Sequence, residues 1–140
     1  MKLKFRQGGL ASEEQAVITR GFYNHAVQHQ APPYDSRSLS WTVNDEHEEL
    51  IAALAGETVW DWIYVDELWV APAHRGQGLG RKLLKVAEEF AQDQKLQGIW
   101  LWTQSWEAEH FYPRLGYSEF TRFENYPKGH TRIGYRKTLA

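Results

Sequence analysis

Apolar residues return at helical spacing from Gly78 onwards: Leu79, Leu83, Leu84, Val86, Ala87, Phe90 and Ala91. Arg81, Lys82, Lys85, Glu88, Glu89 and Asp93 fill the positions between. One face is apolar and the other charged, so the segment predicts a helix laid on a sheet. Gly98, beyond its end, reads as the stop signal. Upstream, Trp60 to Val65 leads into an apolar, strand-like run that continues to Val70. Asp66 and Glu67 interrupt that run; strand side chains alternate, so the two carboxylates are expected on opposite faces. Gly98 to Thr103 reads as a buried strand. Lys2 to Arg6 alternates Leu3 and Phe5 with basic residues, which predicts a short first strand. Ser12 with Gln15 three residues on reads as a capping box opening a helix to about His29. Ser38 to Val43 and Glu49 to Thr58 read as strands joined by the acidic stretch Asn44 to Glu49. That stretch is either a solvated turn or a field that draws in a cationic amine. Trp106 to Leu115 predicts a short helix, and Tyr117 to Phe123 and Thr131 to Lys137 two last strands around the turn Asn125 to His130.

At 140 residues, 42% apolar and 24% charged, the chain is expected to form one domain, residues 1–140, with a core of its own. A formal net charge of −2 gives no bulk attraction to nucleic acid or to an anionic membrane. No apolar run approaches the ~20 residues of a membrane span. The basic N-terminus lacks a signal-peptide apolar region, so a cytoplasmic location is expected. Cysteine is absent, which excludes disulfides, thiolate metal sites and a cysteinyl acyl-enzyme. His25 and His29 share a helix face, as a metal pair would. No HExxH and no third ligand are nearby, and no metal is expected.

The chemistry concentrates between Val70 and Gly80. A glycine-rich loop running from a strand into a helix leaves first-turn N–H groups without helical partners, and the helix dipole adds positive character there. Gly76, Gly78 and Gly80 let a pyrophosphate approach the backbone, and Arg75 offers a planar guanidinium. Arg81, in the first turn, opposes the dipole unless an anion sits beside it. A Walker loop needs Gly-Lys-Ser/Thr at its end, whereas Gly80 is followed by Arg81. A dinucleotide fingerprint needs Gly-x-Gly-x-x-Gly, and the spacing here is Gly76-x-Gly78-x-Gly80.

The spacing Arg75-Gly76-Gln77-Gly78-Leu79-Gly80 resembles the acetyl-CoA pyrophosphate loop of the general-control-related N-acetyltransferase (GNAT) superfamily. Leu68-Trp69-Val70-Ala71-Pro72 resembles that family's entry to the loop. Phe111-Tyr112-Pro113-Arg114-Leu115-Gly116-Tyr117 is similar to its F-Y-x-x-x-G-F/Y segment. The likeness covers Val65 to Tyr117 closely, and a Y-P-x-G-H-like segment at Tyr126 to His130 is similar to a bacterial branch of unassigned substrate. The resemblance implies a mixed α/β fold: a central, mostly antiparallel sheet, helices on both sides, and a splayed strand pair that holds the pantetheine arm. It implies acetyl transfer from acetyl-CoA to a small-molecule or peptide amine by direct attack in a ternary complex. Leu68, Trp69 and Val70 would orient the acetyl carbonyl, with residues 75–81, Ser105 and Phe111 against the cofactor. Tyr112 would protonate the leaving thiolate, and Asp66, Glu67 or a water would take the amine proton. Tyr34 and His130 fall where the acceptor is shaped, and a homodimer is expected. The alternatives are a non-catalytic acyl-CoA-binding module, or the same fold with another acyl group, which Arg122, Arg132 or Arg136 in the groove would favour.

Overall fold

A computed structural model describes residues 1–108 and 110–140. The chain divides into two compact units, Met1–Tyr34 and Asp35–Ala140.

The first unit carries helix α1 (Ser12–Gln28). Residues 2–6 are not a strand, contrary to the alternation of Leu3 and Phe5. An extended segment becomes a strand only when a neighbour takes its backbone hydrogen bonds, and alternation cannot supply the neighbour. Arg6 instead donates to the Glu14 carboxylate at 2.5 Å. The helix cap is also one residue earlier than expected: Ala11 is the N-cap and Ser12 the first helical residue. Glu14, three residues on from Ala11, accepts the Ala11 N–H at 2.8 Å, which is half of a capping box. The His25 and His29 rings lie 4.4 Å apart, yet among the described residues no three metal-ligating side chains gather.

The second unit is a six-stranded sheet: β1 (Ser36–Asn44), β2 (Leu50–Val59), β3 (Trp62–Val70), β4 (Gly98–Gln104), β5 (Ser118–Glu124) and β6 (Thr131–Thr138). Its order is β1-β2-β3-β4-β6-β5, and every neighbouring pair is antiparallel except β3 with β4. Helix α2 (Leu79–Asp93) carries the apolar stripe read from the sequence and lies on β2, β3 and β4. Leu83, Leu84, Ala87 and Ala91 are buried with Leu54, Ile63, Val65, Ile99, Leu101 and Ile133. Each buried Leu or Ile contributes roughly 1.5–3 kcal/mol, so this layer fixes where the start of α2 stands.

Gly98 does not stop α2. The helix closes with Lys95 at φ 58°, while the Leu96 N–H reaches the Ala91 carbonyl at 2.8 Å. Gly98 opens β4, where a Cβ would stand 2.2 Å from the Lys137 carbonyl oxygen and 2.8 Å from the Trp62 ring. Its small size serves strand packing rather than helix termination. Lys137 itself joins three elements: its ammonium donates to Glu88 of α2 and, at 2.9 Å, to the Leu115 carbonyl.

The predicted helix from Trp106 shrinks to α3 (Phe111–Arg114). Pro113 explains this. Proline lacks the N–H that a helix interior needs and is tolerated only in the first turn. A helix begun at Trp106 would place Pro113 well inside; one begun at Phe111 does not. Glu109, part of the predicted helix, lies outside the described residues.

Two irregularities shape the middle of the sheet. Gly56 pairs with Val65 and Ala55 with Glu67, so Asp66 is an extra residue, a β-bulge. Core-facing residues of β3 are therefore Ile63, Val65, Leu68 and Val70, with a gap of three at the bulge. Simple alternation would send Asp66 or Glu67 inward; the bulge keeps both exposed. The parallel pairing of β3 with β4 runs from Trp62↔Gly98 to Val65↔Leu101 and goes no further. Beyond the bulge the two strands splay. Among the described residues no helix is long and apolar enough to cross a membrane.

Candidate active site

Past Val70 the chain leaves β3 through one 3₁₀ turn (Pro72–His74), with proline at its start. Gly76 and Gly78 then take φ of 77° and 81°, left-handed conformations that cost other residues roughly 1–2 kcal/mol. Gly78 is the N-cap of α2, and no side chain caps the helix. The first helical hydrogen bond runs from the Lys82 N–H to the Gly78 carbonyl at 3.0 Å. The first-turn amides ahead of it have no helical acceptor and form the anion-attracting end of the helix. Arg75 folds back, its Nε donating to the Val70 carbonyl at 3.0 Å. Its exposed guanidinium is thus tethered to the end of β3.

A cleft of about 690 Å³ opens in front of this turn. Leu68, Trp69 and Val70 form its β3 wall, and Arg75, Gly76 and Gly78 to Arg81 its turn. Phe111 and Tyr112 face them. Two residues expected at the cofactor do not line it. Gln77 is exposed between the glycines. Ser105 turns away: its hydroxyl accepts the Thr131 N–H at 3.1 Å and ties the end of β4 to β6. Gly80 has a packing reason for being glycine, since a Cβ there would stand 3.2 Å from the Phe111 ring. Phe111 thereby seats α3 against the start of α2 while one side lines the cleft.

Deeper in, where β3 and β4 splay, lies a gap of about 250 Å³. Asp66, Glu67 and Tyr112 all line it, so the three residues expected to move protons meet in one place. Tyr112 is 7% exposed, among Phe111, Tyr117 and Tyr135 at ring distances of 5.1, 5.9 and 5.7 Å. Burial, and secondarily the Glu107 charge, push its phenol up to about 12. Glu107 also borders the gap and the cleft. Its carboxylate accepts the Thr103 hydroxyl at 3.3 Å and the Gln104 N–H at 3.4 Å. The sequence reading passed over Glu107; its one signal is a Glu three residues past a strand end, where it can take the last free amide.

Tyr112 gives the fold an alkaline limit. Its folded pKa lies above its unfolded value near 10, so the stability tied to its proton is intact below about pH 10 and is lost as pH rises toward about 12. Burial also raises Tyr117, in the same direction. Denaturant titrations should show the loss, with Tyr112→Phe removing about 2–3 kcal/mol of that fall.

Other expected positions lie elsewhere. The Arg122 Nε donates to Glu119 at 2.5 Å, Arg136 stands over the Phe120 ring, and Arg132 over Trp102 and Tyr126. None of the three lines the cleft. His130 packs edge-on against Trp106 at 4.9 Å. Tyr34 closes the first unit and is exposed. In the acidic hairpin, Asp45 accepts the N–H groups of His47 and Glu49 at 2.8 and 3.0 Å, the pattern of a turn built around its own side chain.

A model of the acetyltransferase (GNAT) family matches residues 11–117. An acetyltransferase of Agrobacterium fabrum is 35% identical over 85 residues, 61% of this chain and 62% of that one. A blasticidin-S acetyltransferase of Streptomyces morookaense is 38% identical over 87 residues, 61% of this chain and 64% of its own. The matched stretch thus spans less than two thirds of either relative. The crystal structure of an acetyltransferase from Bacillus cereus superposes on 97% of this chain and 98% of that one, with TM-score 0.82 and 26% identity.

Proposed function

The chain belongs to the acetyltransferase (GNAT) family, and from that premise we propose that it moves an acetyl group from acetyl-CoA to a primary amine of a small molecule or peptide. Residues 1–140 would act as one N-acetyltransferase domain. The observation that carries the reading is the splay of β3 from β4 after Val65↔Leu101, opening beside the Gly76 to Gly80 turn. Strands that stop pairing leave backbone donors and acceptors along both edges, and a pantetheine arm can take them. The turn amides and the start of α2 would hold the pyrophosphate, with Arg75 and Arg81 beside it. The backbone from Leu68 to Val70 would orient the acetyl carbonyl.

The amine nitrogen attacks the thioester carbon, a C–N bond forms and the C–S bond breaks. Asp66, Glu67 or a water accepts the amine proton, and Tyr112 faces the departing sulfur. A phenol near 12 stays protonated at neutral pH, while an ordinary thiol titrates near ~8.5. Tyr112 therefore acts chiefly as a hydrogen-bond donor to the developing thiolate and gives up its proton only as far as the thiolate is itself desolvated. Positioning supplies much of the acceleration; intramolecular analogues reach ~7–11 kcal/mol.

Calorimetry with acetyl-CoA, followed by a free-thiol assay over a panel of amines, tests the reading. Binding and amine-dependent thiol release are expected. Binding without release for any amine identifies a non-catalytic acyl-CoA module, and the absence of binding overturns the reading.

A further inference from the structure

The sheet face opposite α2 carries a second cavity, of about 500 Å³, over β1, β2 and β3. Register explains it. Ser38 pairs with Glu57 and Ser40 with Ala55, and Glu57 in turn pairs with Tyr64. Small residues at Ser38, Ser40 and Ala55 leave room that larger side chains would fill, and Tyr64 and Asp66 close the side toward β4. The described lining holds two carboxylates, Glu57 and Asp66, and no cationic side chain. The Ser36 hydroxyl donates to Glu57 Oε2 at 2.7 Å and so fixes one oxygen of that carboxylate.

Tyr64 stands between the charges. Its phenol is raised by burial first, then by Asp66, with Arg132 opposing and Glu57 adding a smaller push. The Arg132 guanidinium lies 4.8 Å over the Trp102 ring and 5.2 Å over the Tyr126 ring, and it hydrogen-bonds the Tyr64 side chain. The cavity is thus lined by one aromatic ring and two carboxylates, with the nearest guanidinium, Arg132, engaged by the Tyr64 phenol and by two aromatic faces. Asp66 lines both this cavity and the gap where β3 and β4 splay. An acceptor whose reacting amine enters the gap at Asp66 has its remainder in the cavity, facing Glu57. Tyr64, the partner of Glu57, stands ~4.8 Å away on the next strand and lies two residues, ~6.6 Å, before Asp66 along β3, so the backbones that carry the two carboxylates are roughly 8 Å apart.

Resting on the acetyl-transfer reading, we propose that this cavity takes a second positively charged group of the acceptor, so that the substrate is a diamine or polyamine, selected by Glu57 and Asp66. The span between the two carboxylates suits amines four or five methylenes apart. A charge-assisted contact of this kind gives about a tenfold preference for the diamine over a monoamine of equal length.

Calorimetry on the protein saturated with coenzyme A, with 1,2-diaminoethane, 1,4-diaminobutane, 1,5-diaminopentane and butylamine as probes, tests the cavity whether or not turnover occurs. The two longer diamines should bind about tenfold tighter than butylamine and than 1,2-diaminoethane. In Glu57→Gln that ratio should collapse toward one, and Ser38→Leu, which fills the cavity from β1, should do the same. Equal binding of diamines and butylamine, or a preference that survives both substitutions, overturns the proposal. The acetyl-transfer reading is judged separately by thiol release with the same four amines. A diamine preference without release supports the cavity and sinks the transfer; release without preference does the reverse.

Discussion

Gly56→Ala is expected to cost about 4 kcal/mol or more of folding free energy, and acetyl transfer with it. The new Cβ would stand 2.1 Å from the Tyr64 carbonyl oxygen and 3.1 Å from the Val65 Cα. Both are backbone atoms, so no side chain can swing aside. Relief can come only from moving β3 off β2, and that is the place where Gly56 faces Val65 beside the extra residue Asp66. The bulge, the exposure of Asp66 and the divergence from β4 all depend on that contact. The denaturant midpoint and thiol release, measured on the same preparation, check it. Gly21→Ala, where a Cβ meets nothing within 4 Å, is the control and should leave the midpoint near the wild-type value or above it.

Tyr112→Phe should lower kcat by roughly 100-fold, the lower end of what a positioned proton donor contributes, and change KM for acetyl-CoA little. Phenylalanine keeps the ring contacts to Phe111, Tyr117 and Tyr135 and removes only the hydroxyl. The fall is expected to be partial because the phenol is a weak acid for this task and the bound geometry is untouched. Steady-state kinetics checks it. A variant with wild-type kcat would show that the thiolate leaves unaided.

Much of this was legible in the residues. α2 announced itself because helical period and burial agree over the whole segment from Leu79 to Ala91. The Gly76 to Gly80 turn was legible because left-handed backbone has few residues to choose from. The bulge was encoded too, in the spacing Ile63, Val65, Leu68, Val70, but two adjacent acids read as an interruption rather than as a change of phase. The supposed first strand failed because pairing is not a local property. The helix expected from Trp106 failed because its pattern was weighed without the position of Pro113 within it. Glu57 went unnoticed for a related reason. Nothing beside it in sequence marks it, and only the register against Ser38 and Tyr64 brings it to the cavity.

Four rungs, from Trp62↔Gly98 to Val65↔Leu101, are all that join the antiparallel trio β1-β2-β3 to the trio β4-β6-β5 within the sheet. Mechanically the unit is two leaves on a short seam, with α2 laid across the back like a splint. Whatever lodges between the leaves supplies the missing rungs, so a guest molecule there does the work of a strand.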